Sequence, residues 1–83
     1  MASWKPSGKY DLTGVHGAAV FRDLPEGTKL RMVGGSIVEI LENARNGANL
    51  YVRVVENEAN PSSVGEEEYV FFTDVQEAVE EGA

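Results

Sequence analysis

The chain has 83 residues, of which 42% are hydrophobic and none is cysteine, and its formal net charge is −7. This length suits a single domain with a modest core, and the lack of cysteine excludes a disulfide framework, thiolate metal ligands and a cysteine nucleophile. The acidic excess argues against nucleic-acid binding, because neutralising phosphates requires a basic surface.

The charge is divided unevenly along the chain. Residues 1–35 carry five basic and three acidic side chains, whereas residues 36–83 carry two basic and eleven acidic ones. A solvated surface that keeps a small domain soluble accounts for such an excess. The sharper alternatives are an acidic face that meets a basic partner, and an acidic mimic of nucleic acid that inhibits a basic nucleic-acid enzyme.

The first part of the chain predicts little regular structure. Residues 1–17 contain a proline and three glycines among scattered apolar residues, which predicts an irregular N-terminal arm. This start lacks the apolar core of a signal peptide, and no segment reaches the roughly 20 apolar residues of a membrane span, so we expect a cytoplasmic protein. Residues 18–22 predict a short strand, which a proline- and glycine-containing turn follows.

Apolar and polar side chains alternate with the period of a strand in residues 28–33, 36–42 and 50–56. Residues 68–73 are dense in aromatic and β-branched side chains, which predicts a further strand. Asn46 and Gly47 accept positive φ and are placed at a hairpin turn. The predicted core consists of Leu30, Val38, Ile40, Val52, Val54, Val70 and Phe72.

The acidic tail closes the predicted domain. Asp74 and Glu77 have the spacing of a helix capping box, so residues 76–83 are predicted as a short helical or frayed segment. The β domain itself is then assigned to residues 18–75.

Three stretches of this domain resemble the successive strands of bacterial SH3-like small β-barrels. They are residues 35–42, with the pattern G-x-x-V-x-x-L-E, residues 50–55, with Tyr-Val-Arg-Val, and residues 65–71, with a glycine before Tyr-Val. The resemblance covers about residues 24–75. It implies a mainly β fold, either an SH3-like barrel or a strongly curled antiparallel sheet, and the broad class of binding modules that assemble with other proteins. It implies no particular ligand.

Motifs for catalysis or cofactor binding do not emerge from the sequence. The one histidine, His16, has no serine in a nucleophile elbow to act with. Three consecutive glutamates at residues 66–68 lack the alternating spacing of a calcium loop. We therefore predict no catalytic, cofactor-binding or metal-binding residues.

Protein binding is the function that remains. Residues 36–42 and 50–56 carry apolar side chains on both faces, and exposed apolar surface marks interaction sites. The candidate interface residues are Trp4, Ile37, Leu41, Tyr51, Arg53, Val55 and Tyr69. We predict a protein partner or self-association, with a homodimer as one form, and no nucleic-acid or membrane partner. An accessory subunit of an enzyme complex is a further alternative, and cover of the second face by the N-terminal arm is the competing explanation.

Overall fold

The computed structural model describes residues 3–82, which form six β-strands, one short α-helix and two 3-10 turns. The elements are β1 (Trp4–Pro6), α1 (Gly17–Arg22), β2 (Lys29–Met32), β3 (Ile37–Glu42), β4 (Asn49–Glu56), β5 (Glu67–Phe71) and β6 (Val75–Glu81), with 3-10 turns at Pro61–Ser63 and Phe72–Asp74. The strands pair antiparallel in one open sheet of order β1-β6-β2-β3-β4-β5. The predicted mainly β fold is confirmed.

The middle of the sheet follows the alternation of the sequence. Leu30 on β2 lies opposite Val38 on β3, and Val38 lies opposite Val54 on β4. Because side chains on a strand alternate between faces, these pairs place one apolar row on a common face. We call it the inner face, and the opposite face of the sheet the outer face.

Two bulges interrupt the pairing of β3 with β4. Ile40 pairs with Val52 and Glu42 pairs with Tyr51, so Leu41 has no partner in the register. Val55 is skipped in the same way at the other end of the pair. A bulge inserts one extra residue and bends the strand, which explains why Leu41 and Val55 do not follow the regular alternation of faces.

The core lies between the inner face and the chain segment that precedes β2. Phe21 and Leu24 are completely buried there, and Leu12 is nearly so. Six of the predicted core residues are buried as expected: Leu30, Val38, Ile40, Val52, Val54 and Val70. Phe72 is only half-buried, and its ring packs against that of Phe21 with centroids 5.0 Å apart.

The strand predicted for residues 18–22 is wrong, because these residues belong to helix α1. A short apolar run fits either structure by its pattern alone. One helical turn points Phe21 into the core, and α1 ends just before Leu24, which precedes a proline and is therefore disfavoured in helical conformation. None of the helices in the described residues is long and apolar enough to span a membrane.

The predicted C-terminal helix is also wrong, because Val75–Glu81 form strand β6 between β1 and β2. Ala78 is buried opposite Leu30, and Glu77 pairs with Arg31. The N-terminal arm contributes β1, whose short length and terminal proline suit a sheet edge, since proline has no N–H for a further ladder.

The hairpin turn between β3 and β4 makes a testable prediction. Gly47 has φ of +74°, a conformation that β-branched residues rarely adopt, whereas a Cβ there would meet only ordinary contact distances. Gly47→Val should therefore lower the free energy of unfolding by more than about 1 kcal/mol, measured by urea denaturation. Gly47→Asn is the control and should cost clearly less, because asparagine tolerates positive φ. Equal midpoints for both variants would contradict the strained turn.

Candidate functional site

The outer face of the sheet carries basic side chains that are paired with acidic ones across neighbouring strands. The pairs are Arg31–Glu77 at 3.0 Å, Arg53–Glu67 at 3.2 Å and Lys29–Glu39 at 3.9 Å. All six side chains are partly exposed, so these ion pairs stabilise the fold only weakly. Their effect on the charge of the surface is larger, because Lys29, Arg31 and Arg53 each lie next to a carboxylate that offsets their positive charge.

An aromatic pair lies at one end of the outer face. The rings of Tyr51 on β4 and Tyr69 on β5 lie directly opposite one another, with centroids 4.9 Å apart and a tilt of 57°. The Tyr51 hydroxyl donates a hydrogen bond of 2.9 Å to Glu67, and the Arg53 guanidinium donates one of 3.2 Å to the same carboxylate. We name Tyr51, Arg53, Glu67, Tyr69 and Phe71 the β4–β5 patch.

The β4–β5 patch is the place where large apolar side chains are exposed next to each other. Tyr69 is 65% exposed and Phe71, two residues further along the same face of β5, is 52% exposed. The other exposed large apolar side chains among residues 3–82, Val15, Val33 and Val64, lie singly in loops and turns. Scattered exposed residues are normal in proteins, whereas neighbouring ones mark surface that can bind a partner.

Hydrogen bonding within the patch changes the acidity of two of its groups. The hydrogen bond from Tyr51, reinforced by the bond from Arg53, lowers the pKa of Glu67 below its ordinary value. The same bond raises the pKa of the Tyr51 phenol, because the carboxylate favours the protonated donor. One hydrogen bond between the two side chains is therefore the largest cause of both shifts.

The pKa of Glu67 gives a prediction that NMR can check. A lowered pKa in the folded state means that the stabilisation is present above the ordinary glutamate pKa and is lost as the pH falls through the folded value. Tyr51→Phe removes the largest cause and should raise the midpoint of the Glu67 carboxyl carbon titration, while Arg53 still holds part of the shift. Tyr69→Phe is the control and should leave the midpoint unchanged, since no hydrogen bond joins its hydroxyl to Glu67. If Tyr51→Phe titrates like the unmodified protein, the hydrogen bond is absent in solution.

The predicted interface residue Trp4 lies at the opposite end of the outer face. Its indole N–H donates a 2.6 Å hydrogen bond to Glu56, and its carbonyl accepts one of 3.1 Å from Arg31. Trp4 and Ile37 line the same shallow hollow, in which Ile37 is only 2% exposed. Cover by the N-terminal arm, the competing explanation for the second apolar face, therefore applies at this end.

The structure separates the predicted interface residues into three groups. Tyr51, Arg53 and Tyr69 come together in the β4–β5 patch, and Trp4 and Ile37 share the hollow. Leu41 and Val55 are the half-buried bulge residues.

Two members of the patch were missed by the sequence reasoning. Phe71 follows from the period of two that already places Tyr69 outward and Val70 inward, so the signal was available. Glu67 could not be found in this way, because its role depends on the alignment of β4 with β5 across a ten-residue connection.

Other chemistry is sparse in the described part of the chain. His16 is exposed beside the start of α1, and no three histidine, cysteine, aspartate or glutamate side chains within residues 3–82 group closely enough to hold a metal ion. The chain matches no protein-family model, and neither curated proteins nor solved structures give a significant match. The geometry of the surface is therefore the basis for a functional proposal.

Proposed function

We propose that this protein is a non-catalytic protein-interaction module and that the β4–β5 patch is its binding surface. The observation that carries the proposal is the neighbouring exposure of Tyr69 and Phe71 on a strand at the edge of the sheet. Tyrosine, phenylalanine and arginine are enriched in protein interfaces, and tyrosine and arginine are frequent among the residues that dominate binding energy.

The contacts within the patch favour binding by reducing its entropic cost. Immobilising a flexible side chain on binding costs free energy. Tyr51 is held by Tyr69 and by Glu67, and Arg53 is held by Glu67, before any partner arrives. A partner would therefore meet an ordered surface that needs little rearrangement.

The sequence resemblance of residues 24–75 to SH3-like small barrels favours the same proposal. Domains of that class serve as binding modules, although a shared fold alone does not identify a ligand. The strand order here ends at β1 and β5, so this sheet also offers a backbone edge beside the aromatic patch.

Photo-crosslinking in the cells that produce the protein tests this proposal. A benzophenone amino acid at position 69 should give discrete adducts with protein, and the same group at position 15 should not. Val15 is 97% exposed and apolar but stands alone, which makes it a matched control for chance contact. No adduct from position 69, or the same adducts from both positions, would overturn the assignment of the patch.

A further inference from the structure

Strand β5 has one hydrogen-bonded neighbour in the described residues, strand β4, and its other side is open. Two hydrogen bonds fix which residues face that side: Phe72 N–H donates to the Ala48 carbonyl at 3.0 Å, and Val54 N–H donates to the Glu66 carbonyl at 2.8 Å. Bonding residues alternate along an antiparallel ladder. The even-numbered residues of β5 therefore bond to β4, and the N–H and C=O groups of Glu67, Tyr69 and Phe71 point to the open side.

The same three residues place their side chains on the outer face. Tyr69 and Phe71 are the exposed aromatic residues of the β4–β5 patch, so unpaired backbone groups and apolar surface coincide on one strand. An edge of this kind is a template for another strand. The opposite edge differs, because β1 has only three residues and ends in Pro6, which has no N–H to donate.

We propose that β5 pairs with β5 of a second copy of this chain, antiparallel, with Tyr69 opposite the partner's Tyr69. The inference rests on the proposed function and names its partner. It joins the two sheets into one continuous sheet, in which the aromatic pair of each copy meets that of the other.

The distribution of charge along β5 selects this register. Strand β5 and the residues next to it begin with three glutamates, residues 66–68. The residues that follow, 69–72, are aromatic or aliphatic. Antiparallel pairing about Tyr69 sets Glu67 opposite the partner's Phe71 and Glu68 opposite the partner's Val70. Parallel pairing would set glutamate against glutamate, and like charges directly opposite each other destabilise a sheet. In the antiparallel register, the backbone groups of Glu67, Tyr69 and Phe71 that point to the open side also pair with those of Phe71, Tyr69 and Glu67 of the second copy.

The pairing of Glu67 favours a second copy over a basic peptide. Its carboxylate already accepts hydrogen bonds from Tyr51 and Arg53, so the outer face of this edge presents aromatic rings and a neutralised acid. Each copy still carries a net charge of −7, and the two repel each other through solvent. Salt screens such repulsion, so the dimer should strengthen as salt is added, whereas binding of a basic peptide should weaken.

Disulfide trapping tests the register, because the chain has no cysteine of its own. Opposed residues in a bonded antiparallel pair have Cα atoms about 5.5 Å apart, which a disulfide can bridge. Tyr69→Cys should therefore form dimers on mild oxidation at least about tenfold faster than the exposed control Val15→Cys, since pairing holds the two thiols together.

Glu67→Cys and Phe71→Cys make the test specific to the register. A mixture of these two variants should crosslink, but Glu67→Cys alone should not, because four residues of strand separate the two copies of position 67 by about 13 Å. Self-crosslinking of Glu67→Cys as fast as that of Tyr69→Cys would overturn the register, and crosslinking of Val15→Cys as fast as that of Tyr69→Cys would overturn the pairing itself.

Sedimentation equilibrium of the unmodified protein completes the test. The average mass should rise from monomer toward dimer with concentration and with salt, and Tyr69→Pro should abolish the rise. That substitution removes an outward N–H and no bond to β4, and circular dichroism verifies that the variant is folded. Were it unfolded, the cysteine variants would decide.

Failure of this inference can be distinguished from failure of the proposed function. A monomer at every concentration and salt, with cellular adducts of another mass from position 69, overturns the second copy and leaves the interaction module standing. A monomer without any cellular adduct overturns both.

Discussion

Replacing Phe21 with alanine should lower the free energy of unfolding by about 3 to 5 kcal/mol, the range found when a buried aromatic side chain is truncated. Phe21 is completely buried, and its ring contacts that of Phe72 at a centroid distance of 5.0 Å. A domain of this size has a total stability of roughly 4 to 12 kcal/mol. The substitution should therefore remove a large part of it.

Urea denaturation followed by circular dichroism measures the effect. Val15→Ala is the control, because Val15 is almost fully exposed and its truncation should leave the midpoint unchanged. Should Phe21→Ala be unfolded without urea, Phe21→Leu keeps most of the apolar volume and should give a smaller, measurable loss. A Phe21→Leu midpoint equal to that of the unmodified protein would mean that α1 does not pack against the sheet.

The central strands could be predicted from the sequence because their information is local. Leu30, Val38, Val52 and Val54 follow the period of two, and this pattern by itself assigns them to one face. The turn at Gly47 is similarly local, and Gly47 has the expected positive φ. Asn46 does not, and Arg45 has φ of +60° instead, because the connection is a longer loop over residues 43–48 and not a two-residue turn. The two bulges could not be predicted from this period, because an extra residue in one strand is defined only by how that strand pairs with its neighbour.

The two wrong assignments have a common physical origin. At α1, the alanines favour a helix and the valine and phenylalanine suit a strand, so neither choice is settled by propensity. At β6, the spacing of Asp74 and Glu77 suggested a helix cap, but pairing with β2 and β1 satisfies the same backbone groups and buries Ala78. Contacts between distant parts of the chain decided both cases, and these are what a local pattern omits.

The candidate site was predictable to the extent that it follows from face assignments. Tyr51 and Tyr69 were predicted as interface residues, and each lies on the outer face. The contact between the two rings depends on the register of β4 with β5. The sequence does not determine this register, because ten residues connect the two strands. Trp4 was assigned to the same interface but lies at the far end of the face, because β1 pairs with the C-terminal strand.

Gly17→Ala should destabilise the protein, although alanine is the better helix former. Gly17 is buried at the start of α1, and a Cβ atom there would overlap the Leu12 carbonyl oxygen and lie 2.9 Å from the carbonyl carbon. The obstacle is backbone, which cannot rotate away as a side chain would. Leu12 is itself anchored in the core at 8% exposure, so either α1 or the arm must leave its packed position.

The two opposing effects of this substitution can be compared in size. Replacing glycine by alanine inside a helix gains up to about 1 kcal/mol, whereas forcing extra volume into a packed site costs about 1 to 3 kcal/mol. The contact is close enough to place the cost at the upper end, so a net loss of roughly 1 to 2 kcal/mol is expected from these ranges. Gly34→Ala is the control, because a Cβ at Gly34 meets no atom within 4 Å and its φ is not positive. The stability of both variants is measured by the midpoint of urea denaturation. A higher midpoint for Gly17→Ala than for the unmodified protein would show that helix propensity prevails and that α1 does not pack tightly against the arm.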